Sequence, residues 1–206
     1  MDADVVVATD HRSIADAVAD LPVTPVLTAA SCASGTERVW LVSQRPEYSG
    51  ADVILNVQGD EPLVPRAALV GAVDQVGGGA EIGTAAGSLS PAAARNPNRV
   101  KVSVDGRGRA RQFFRALSQA GCPHPAAVFH HIGVYAYRPA ALERWVGLPP
   151  AAEERTERLE QLRPLAHGMT VGVAVLQDPP APGVDTAGDL EEVGHLLAAT
   201  GPGTDG

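Results

Sequence analysis

The sequence has few cysteines and no long apolar run. Cys32 and Cys122 are its two cysteines, and they lie far apart without a CxxC pair. This argues against a disulfide framework and against a cysteine-based zinc site. No apolar stretch approaches the roughly 20 residues that a membrane-spanning helix needs. The acidic residues 1–4 lead directly into Val5, unlike the positively charged start of a secretory signal peptide. We therefore expect a reduced, cytoplasmic protein.

Positive charge is scarce as well. The chain has 16 Lys and Arg residues against 24 Asp and Glu residues, for a net charge of −8, and Lys101 is its one lysine. A surface that binds duplex nucleic acid needs clustered bases. The sequence contains no such run, so we expect no nucleic-acid partner. A length of 206 residues suits one domain with a substantial core.

Short apolar runs alternate with helical patterns in the first half of the chain. Residues 5–8, 23–27 and 53–57 read as strands, and the last of these is the clearest. Helices are predicted between them, at residues 13–18 and 37–42. This alternation is typical of βαβ units, so it predicts an α/β fold around a mostly parallel sheet.

The second half changes character. Residues 100–104 alternate in polarity, Asp105 and Gly106 form a hairpin-type turn, and residues 110–114 return. A further strand is predicted over residues 129–137. These patterns indicate an antiparallel insertion in the parallel sheet. They are followed by three more elements: a helix over 153–167, a strand over 171–175, and a helix that opens with a capping box at Thr186–Asp189.

Two loops carry acids at predicted strand or helix ends. Asp60 lies in Asn56–Pro62 just after a strand, and Asp185 lies in Gly183–Thr186 just before a helix. Ligands of open α/β sheets bind beyond the carboxyl ends of the strands, where carboxylates can hold Mg²⁺ and phosphate. Each acid alone also has a plainer structural explanation, as part of a polar turn or of a helix cap. Together they favour phosphoryl chemistry, which needs cations to neutralise phosphate charge.

Three further segments offer binding groups, each with a plainer structural interpretation. Ser34–Arg38 opens a helix and presents free N–H groups, although a simple N-cap explains it equally well. His131 and Tyr135 share one strand face, as a sugar-binding wall or as core residues. Glu160 and Gln161 can reach hydroxyl groups or can lie on a solvated helix face.

The ordered set of these motifs resembles one family, the 3-deoxy-manno-octulosonate (KDO) cytidylyltransferases, also called CMP-KDO synthetases. The resemblance runs from about Val5 to Val193. It is carried by these matching pieces: Val7–His11, Ser34–Arg38, Asn56–Pro62, Asn96–Asn98 with Val100–Val102, His131–Tyr135, Leu159–Arg163, Gly183–Thr186 and Asp189–Glu191.

The resemblance implies transfer of CMP from CTP to KDO or a related 2-keto-3-deoxy sugar acid, with release of pyrophosphate. It implies a Rossmann-like fold over residues 1–199, an insertion at about 105–165 that forms a homodimer, and a disordered tail at 200–206. By position, it assigns Mg²⁺ and catalysis to Asp60 and Asp185, and the nucleotide pocket to Ser34, Gly35 and Gln58. It assigns sugar binding to the following residues: Arg38, His131, Tyr135, Glu160 and Gln161.

The chain departs from the family pattern at its start. The family opens with a strand, a loop rich in Arg and Lys that grips the triphosphate, and a helix, all before the segment that matches Val5. A late start codon and a true truncation both explain the departure. The second alternative predicts a weak or inactive protein that binds nucleotide or forms dimers. Removal of a strand should also expose apolar surface. The segment Leu117–Ala127 is shorter than usual, which suggests a related sugar acid as an alternative substrate.

Overall fold

The computed structural model describes residues 3–117 and 127–200. Within them it contains eight strands: β1 (Val6–Thr9), β2 (Thr24–Leu27), β3 (Ile54–Val57), β4 (Ile82–Gly87), β5 (Lys101–Val104), β6 (Ala110–Phe114), β7 (Ala127–Tyr137) and β8 (Val171–Val175). The helices are α1 (Arg12–Ala17), α2 (Gly35–Ser43), α3 (Arg66–Gly77), α4 (Pro91–Arg95), α5 (Pro139–Gly147), α6 (Ala152–Glu157), α7 (Leu162–Ala166) and α8 (Ala187–Thr200), with a 3₁₀ turn at Pro46–Tyr48. None of these helices is both long and apolar enough to cross a membrane.

The larger sheet is built around β7. Its order is β6-β5-β7-β4-β8, and β3 pairs with the C-terminal half of β7 on the side where β5 pairs with the N-terminal half. β7 runs antiparallel to β3, β4 and β5, whereas β4 and β8 are parallel. Four strands of this sheet therefore point one way, and β6 and β7 point the other. The predicted α/β class is confirmed, but the antiparallel strand is central rather than an attachment.

β1 and β2 form a separate parallel pair. Helix α2 contacts both β1 and β3, so it lies across the junction between this pair and the larger sheet. Apolar side chains are exposed here, among them Val5, Leu27 and Val57.

Two apolar clusters cover the faces of the larger sheet. One is rich in aromatic residues and includes Phe113, Tyr137 and Trp145, all at most 1% exposed. The other packs α3, through Ala68, Ala72 and Val76, against β4 and β7. Small residues on α3 let the helix approach the sheet closely. This packing fixes the strand ends from which the loops of the candidate site emerge.

The predicted helix over 153–167 is wrong, because the chain forms α6 and α7 with a break between them. Arg158 ends α6 in the left-handed conformation, with φ of 54°. Pro164 explains the break, because a continuous helix would require an N–H at Pro164 and would press its ring against the carbonyl of Glu160. Across the break, Glu154 of α6 pairs with Arg163 of α7 at 2.5 Å.

The remaining helix signals are observed. Thr186 and Asp189 form the predicted capping box: the Asp189 carboxylate accepts from the Thr186 N–H at 2.8 Å, and the Thr186 hydroxyl accepts from the Asp189 N–H at 3.2 Å. The Ser34 hydroxyl accepts from the Glu37 N–H at 3.1 Å and caps α2. Most of the shortened segment and the tail beyond Thr200 lie outside the described residues.

The close approach of α3 to β4 makes a stability prediction. A Cβ on Gly83 would lie 1.9 Å from the carbonyl oxygen of Ala72, whereas a Cβ on Gly77 would meet nothing within 4 Å. Gly83→Ala should therefore lower the free energy of unfolding by at least about 2 kcal/mol through overpacking. Gly77→Ala, the matched control at the end of α3, should leave it unchanged or raise it by up to about 1 kcal/mol. Urea denaturation measures both, and equal effects would contradict the packing described here.

Candidate active site

A cavity of about 300 Å³ opens where β3 ends and α8 begins. Strand β7 and the break between α6 and α7 form its other walls. Seven of the ten residues singled out from the sequence line it, namely Gln58, Asp60, His131, Tyr135, Glu160, Gln161 and Asp185. The remaining lining residues include Glu61, Asn98, Arg99, Arg115, His130, Arg158 and Gly183.

Asp60 and Asp185 are brought together through the backbone. The Val184 N–H donates a hydrogen bond to the Asp60 carbonyl oxygen at 2.7 Å, which joins the loop after β3 to the loop before α8. Gly183 permits the contact, because a Cβ there would lie 2.9 Å from the same carbonyl oxygen. Each acid is therefore adjacent to one end of a single hydrogen bond, and both line the same cavity.

Glu61 stabilises the contact between the loop after β3 and the loop before α8. Its Oε1 accepts a hydrogen bond from the Gly133 N–H of β7 at 3.0 Å, and its carboxylate also packs beside Gly183. Burial raises the pKa of Glu61, and the nearby carboxylates of Asp60 and Asp185 raise it further. The sequence motif contained Glu61, but pattern alone did not distinguish it from a polar turn residue.

Arg99 binds the loop before α8, which carries Asp185. Its Nη1 lies 3.3 Å from Asp185 Oδ2 and 3.2 Å from the Gly183 carbonyl oxygen, and its Nη2 lies 2.7 Å from Asp189 Oδ1. The Arg99 side chain is only 14% exposed. No local sequence pattern marks Arg99, because its partners are 84 to 90 residues away.

The start of α2 forms another wall together with Glu160. The Ser34 hydroxyl, which caps α2, donates to Glu160 Oε1 at 2.6 Å. A Cβ on Gly35 would lie 3.4 Å from Gln58 Oε1, so the glycine allows Gln58 to pack against the helix start. Ser34 and Gly35 thus lie beside the cavity through these two partners. Burial raises the pKa of Glu160.

His131 is a neutral imidazole with a defined tautomer. The Thr84 hydroxyl donates to the Val134 carbonyl at 2.7 Å, so it must accept from His131 Nε2–H at 2.9 Å. This leaves Nδ1 of His131 as an acceptor. Burial lowers the pKa of His131 to about 3, and the neighbouring His130 adds to the effect. Burial also raises the pKa of Tyr135, whose ring lies 5.5 Å from that of His131.

Arg38 lies away from this cavity. Its Nη2 is 3.1 Å from Asp10 Oδ2, and its Nη1 contacts the Thr28 hydroxyl, so it joins α2 to the β1–β2 pair. The structure therefore does not bring Arg38 to the other predicted sugar-binding residues. The sequence order of the motifs gave no signal of the Asp10 contact.

Other basic groups near the cavity are occupied by protein carbonyls. The Nζ of Lys101 donates to the carbonyls of Asn96 and Arg115 at 2.6 and 2.7 Å, and burial lowers the pKa of this fully buried lysine. The Arg115 guanidinium donates to the carbonyls of Glu157, Pro97 and Arg158. These contacts hold the strand β5 and the α6–α7 break in place around the cavity.

The donor set fits a hard divalent cation that is completed by substrate. Asp60 and Asp185 both line the cavity, so their carboxylates are the candidate protein ligands. No group of three His, Cys, Asp or Glu ligands occurs among residues 3–117 and 127–200. Mg²⁺ is typically held by one or two carboxylates together with substrate phosphates and water, so a pair of acids is an adequate protein contribution.

The fold and the cavity define a class, the α/β nucleotidyltransferases. The solved structure of CMP:2-keto-3-deoxy-manno-octonic acid synthetase complexed with CTP superimposes with a TM-score of 0.80 and 32% identity. The match covers 96% of this chain and 81% of that one. The family model for cytidylyltransferases matches residues 1–171.

Named relatives narrow the class. The 3-deoxy-manno-octulosonate cytidylyltransferase of Gemmatimonas aurantiaca is 47% identical over 193 residues, covering 90% of this chain and 74% of the relative. The Methylococcus capsulatus protein of the same name is 43% identical over 213 residues, covering 97% and 83%. The chain therefore belongs to the cytidylyltransferase family, among the 3-deoxy-manno-octulosonate cytidylyltransferases.

The buried neutral His131 predicts acid sensitivity. The folded pKa is about 3 against an ordinary value of 6.5, so the unfolded chain binds a proton that the folded chain does not between these values. Stability from this group is therefore complete above pH 6.5 and decreases as the pH falls, by about 1.4 kcal/mol per pH unit.

The matched variant is His131→Gln, which keeps an N–H for the Thr84 hydroxyl but does not titrate. Urea denaturation between about pH 5.5 and 4 should show a slope smaller than that of the wild type by about 1.4 kcal/mol per pH unit. Parallel slopes for the two proteins would show that His131 can be protonated in the folded state.

Proposed function

We propose that this protein transfers CMP from CTP to 3-deoxy-manno-octulosonate, or KDO, and releases pyrophosphate. The observation that carries the proposal is the meeting of Asp60 and Asp185 at one cavity, in a chain that belongs to this family. The names of the relatives and the CTP complex of the structural relative support the choice of nucleotide and sugar.

We propose Mg²⁺ as the cation, held by the carboxylates of Asp60 and Asp185. When bound, such an ion would neutralise phosphate charge and lower the pKa of the attacking sugar hydroxyl. In the reaction the hydroxyl oxygen bonds to the α-phosphorus of CTP and the bond to pyrophosphate breaks. The chain contributes the position of the two acids, which the hydrogen bond from Val184 to Asp60 keeps together.

The remaining cavity residues are proposed to bind and orient the two substrates. Gln58, beside Gly35, is placed to contact the nucleotide, while the acceptor Nδ1 of His131 and the hydroxyl of Tyr135 suit sugar hydroxyls. Glu160 is held by Ser34, so its carboxylate enters the cavity in a fixed position. Such positioning is a large source of rate in phosphoryl transfer, which requires in-line geometry.

Arg38 differs from the other proposed sugar-binding residues, because it contacts Asp10 and Thr28. Its contacts with Asp10 and Thr28 keep it outside the cavity, so sugar binding would require the Asp10 ion pair to open. A role of Arg38 toward the sugar carboxylate therefore remains a prediction. An Arg38→Ala variant with an unchanged KM for the sugar acid would remove it.

The acid pair gives the main test. Asp60→Asn and Asp185→Asn should each lower kcat for pyrophosphate release from CTP and KDO by at least about 100-fold, because the cation loses a charged ligand. Asp74→Asn on the exposed face of α3 is the control and should keep wild-type kcat. Chelation of divalent cations should abolish turnover, and added Mg²⁺ should restore it.

A substrate panel tests the choice of sugar. KDO, a related ulosonic acid and a sugar of equal size that lacks the carboxylate are compared by kcat/KM, with CTP held constant. We expect KDO to be preferred and the neutral sugar to be inactive. Wild-type turnover with none of the 2-keto acids would contradict the proposed function.

We also propose that the protein acts as a homodimer in the cytoplasm. The support is the resemblance of the chain to the 3-deoxy-manno-octulosonate cytidylyltransferases, which includes the region at about 105–165. A mass of twice 21.2 kDa by light scattering is expected for the dimer. A monomeric mass at micromolar concentration would contradict it.

A further inference from the structure

We propose that Arg99 is a counter-cation that lowers the affinity of the Asp60–Asp185 pair for a free divalent cation, so that the cation binds together with the nucleotide. This inference rests on the proposed function, because it assumes that the two acids share a cation. It concerns a positioning residue of this chain, and its direct readout is cation binding without substrate.

The side chain of Arg99 contacts the loop that carries Asp185. Its guanidinium donates hydrogen bonds to three acceptors of the segment 183–189: the carbonyl of Gly183 and the carboxylates of Asp185 and Asp189. The contact with Asp189 is the shortest, at 2.7 Å, and anchors the side chain. The contact with Asp185 at 3.3 Å is longer, and the side chain of Asp185 is 40% exposed.

Arg99 also brings a positive charge to this loop. The other carboxylate oxygen of Asp189, Oδ2, accepts hydrogen bonds from the N–H groups of Asp185 and Thr186 and from the Thr186 hydroxyl. Asp189 is therefore part of the cap of α8. Arg99 therefore offsets one of the two negative charges of Asp185 and Asp189, and its loss would leave both uncompensated beside the cavity. A divalent cation that binds Asp185 meets the positive charge of Arg99 at short range in a partly buried site, and repulsion there is weakly screened.

A bound polyphosphate changes the electrostatic balance at this site in favour of the cation. A nucleotide brings several negative charges, which attract both the divalent cation and the free N–H groups of a guanidinium. Binding of the cation and binding of the nucleotide are then cooperative, because the negative charge of the nucleotide offsets the repulsion between the cation and Arg99. Arg115 is less suited to this role, because its guanidinium donates to the main-chain carbonyls of Pro97, Glu157 and Arg158 rather than to Asp185.

The experiment measures Mn²⁺ binding by electron paramagnetic resonance at low ionic strength, with and without CTP. Arg99→Gln removes the charge, and Arg99→Lys retains it. Arg111→Gln is the control, because Arg111 is 67% exposed and pairs with Asp105 in the β5–β6 hairpin, yet its loss changes the net charge equally. Thermal unfolding verifies each fold, and Arg99→Met replaces any Arg99→Gln protein that fails to fold.

Without CTP, Arg99→Gln should bind Mn²⁺ at least about tenfold more tightly than the wild type, while the other two variants stay within about twofold of it. The increase in Mn²⁺ affinity caused by CTP should be smaller in Arg99→Gln than in the wild type. Equal or weaker Mn²⁺ binding by Arg99→Gln overturns the proposal. If the wild type still turns over CTP and KDO in that case, the proposed function stands and only the role of Arg99 is lost.

Discussion

The hydrogen bond from the Val184 N–H to the Asp60 carbonyl oxygen is the contact on which the site depends. It joins two loops that are more than 120 residues apart in sequence and places an acid at each side. Gly183 makes the approach possible, and Glu61 supports it by bonding to the Gly133 N–H of β7. A backbone contact fixed in this way keeps two carboxylates near one another despite their mutual repulsion.

The surrounding cavity combines charged loops with a neutral wall. Burial keeps His131 and Tyr135 in their uncharged forms, so they act as hydrogen-bonding groups rather than as charges. The loops after β3 and before α8 carry Asp60, Glu61 and Asp185, and Arg99 balances part of this negative charge. This division matches a reaction in which a polar sugar is oriented on one side and phosphate charge is neutralised on the other.

Much of this arrangement was accessible from sequence because it follows from local rules. Strand β6 over residues 110–114 and strand β8 over residues 171–175 have the predicted bounds, since alternation and apolar runs report directly on burial. The proximity of Asp60 and Asp185 follows from the rule that ligand loops gather at the ends of strands. Their motif spacing, together with the family resemblance, was sufficient to select seven residues that line the cavity.

The features that sequence did not reveal depend on distant contacts. The central position of β7 is set by pairing with β3, β4 and β5, which no local pattern encodes. Arg99 was missed, and the contact of Arg38 with Asp10 was not foreseen, because the partners of both side chains are chosen by tertiary packing. The break at Arg158 was detectable in principle, since Pro164 forbids a continuous helix there.

The most direct test of the central claim is a crystal structure with Mn²⁺ and CTP, in which anomalous scattering locates the cation. We expect one anomalous peak that lies within about 2.3 Å of a carboxylate oxygen of both Asp60 and Asp185, a normal metal–oxygen distance. A peak that contacts one acid and not the other, or separate peaks at the two acids, would contradict it.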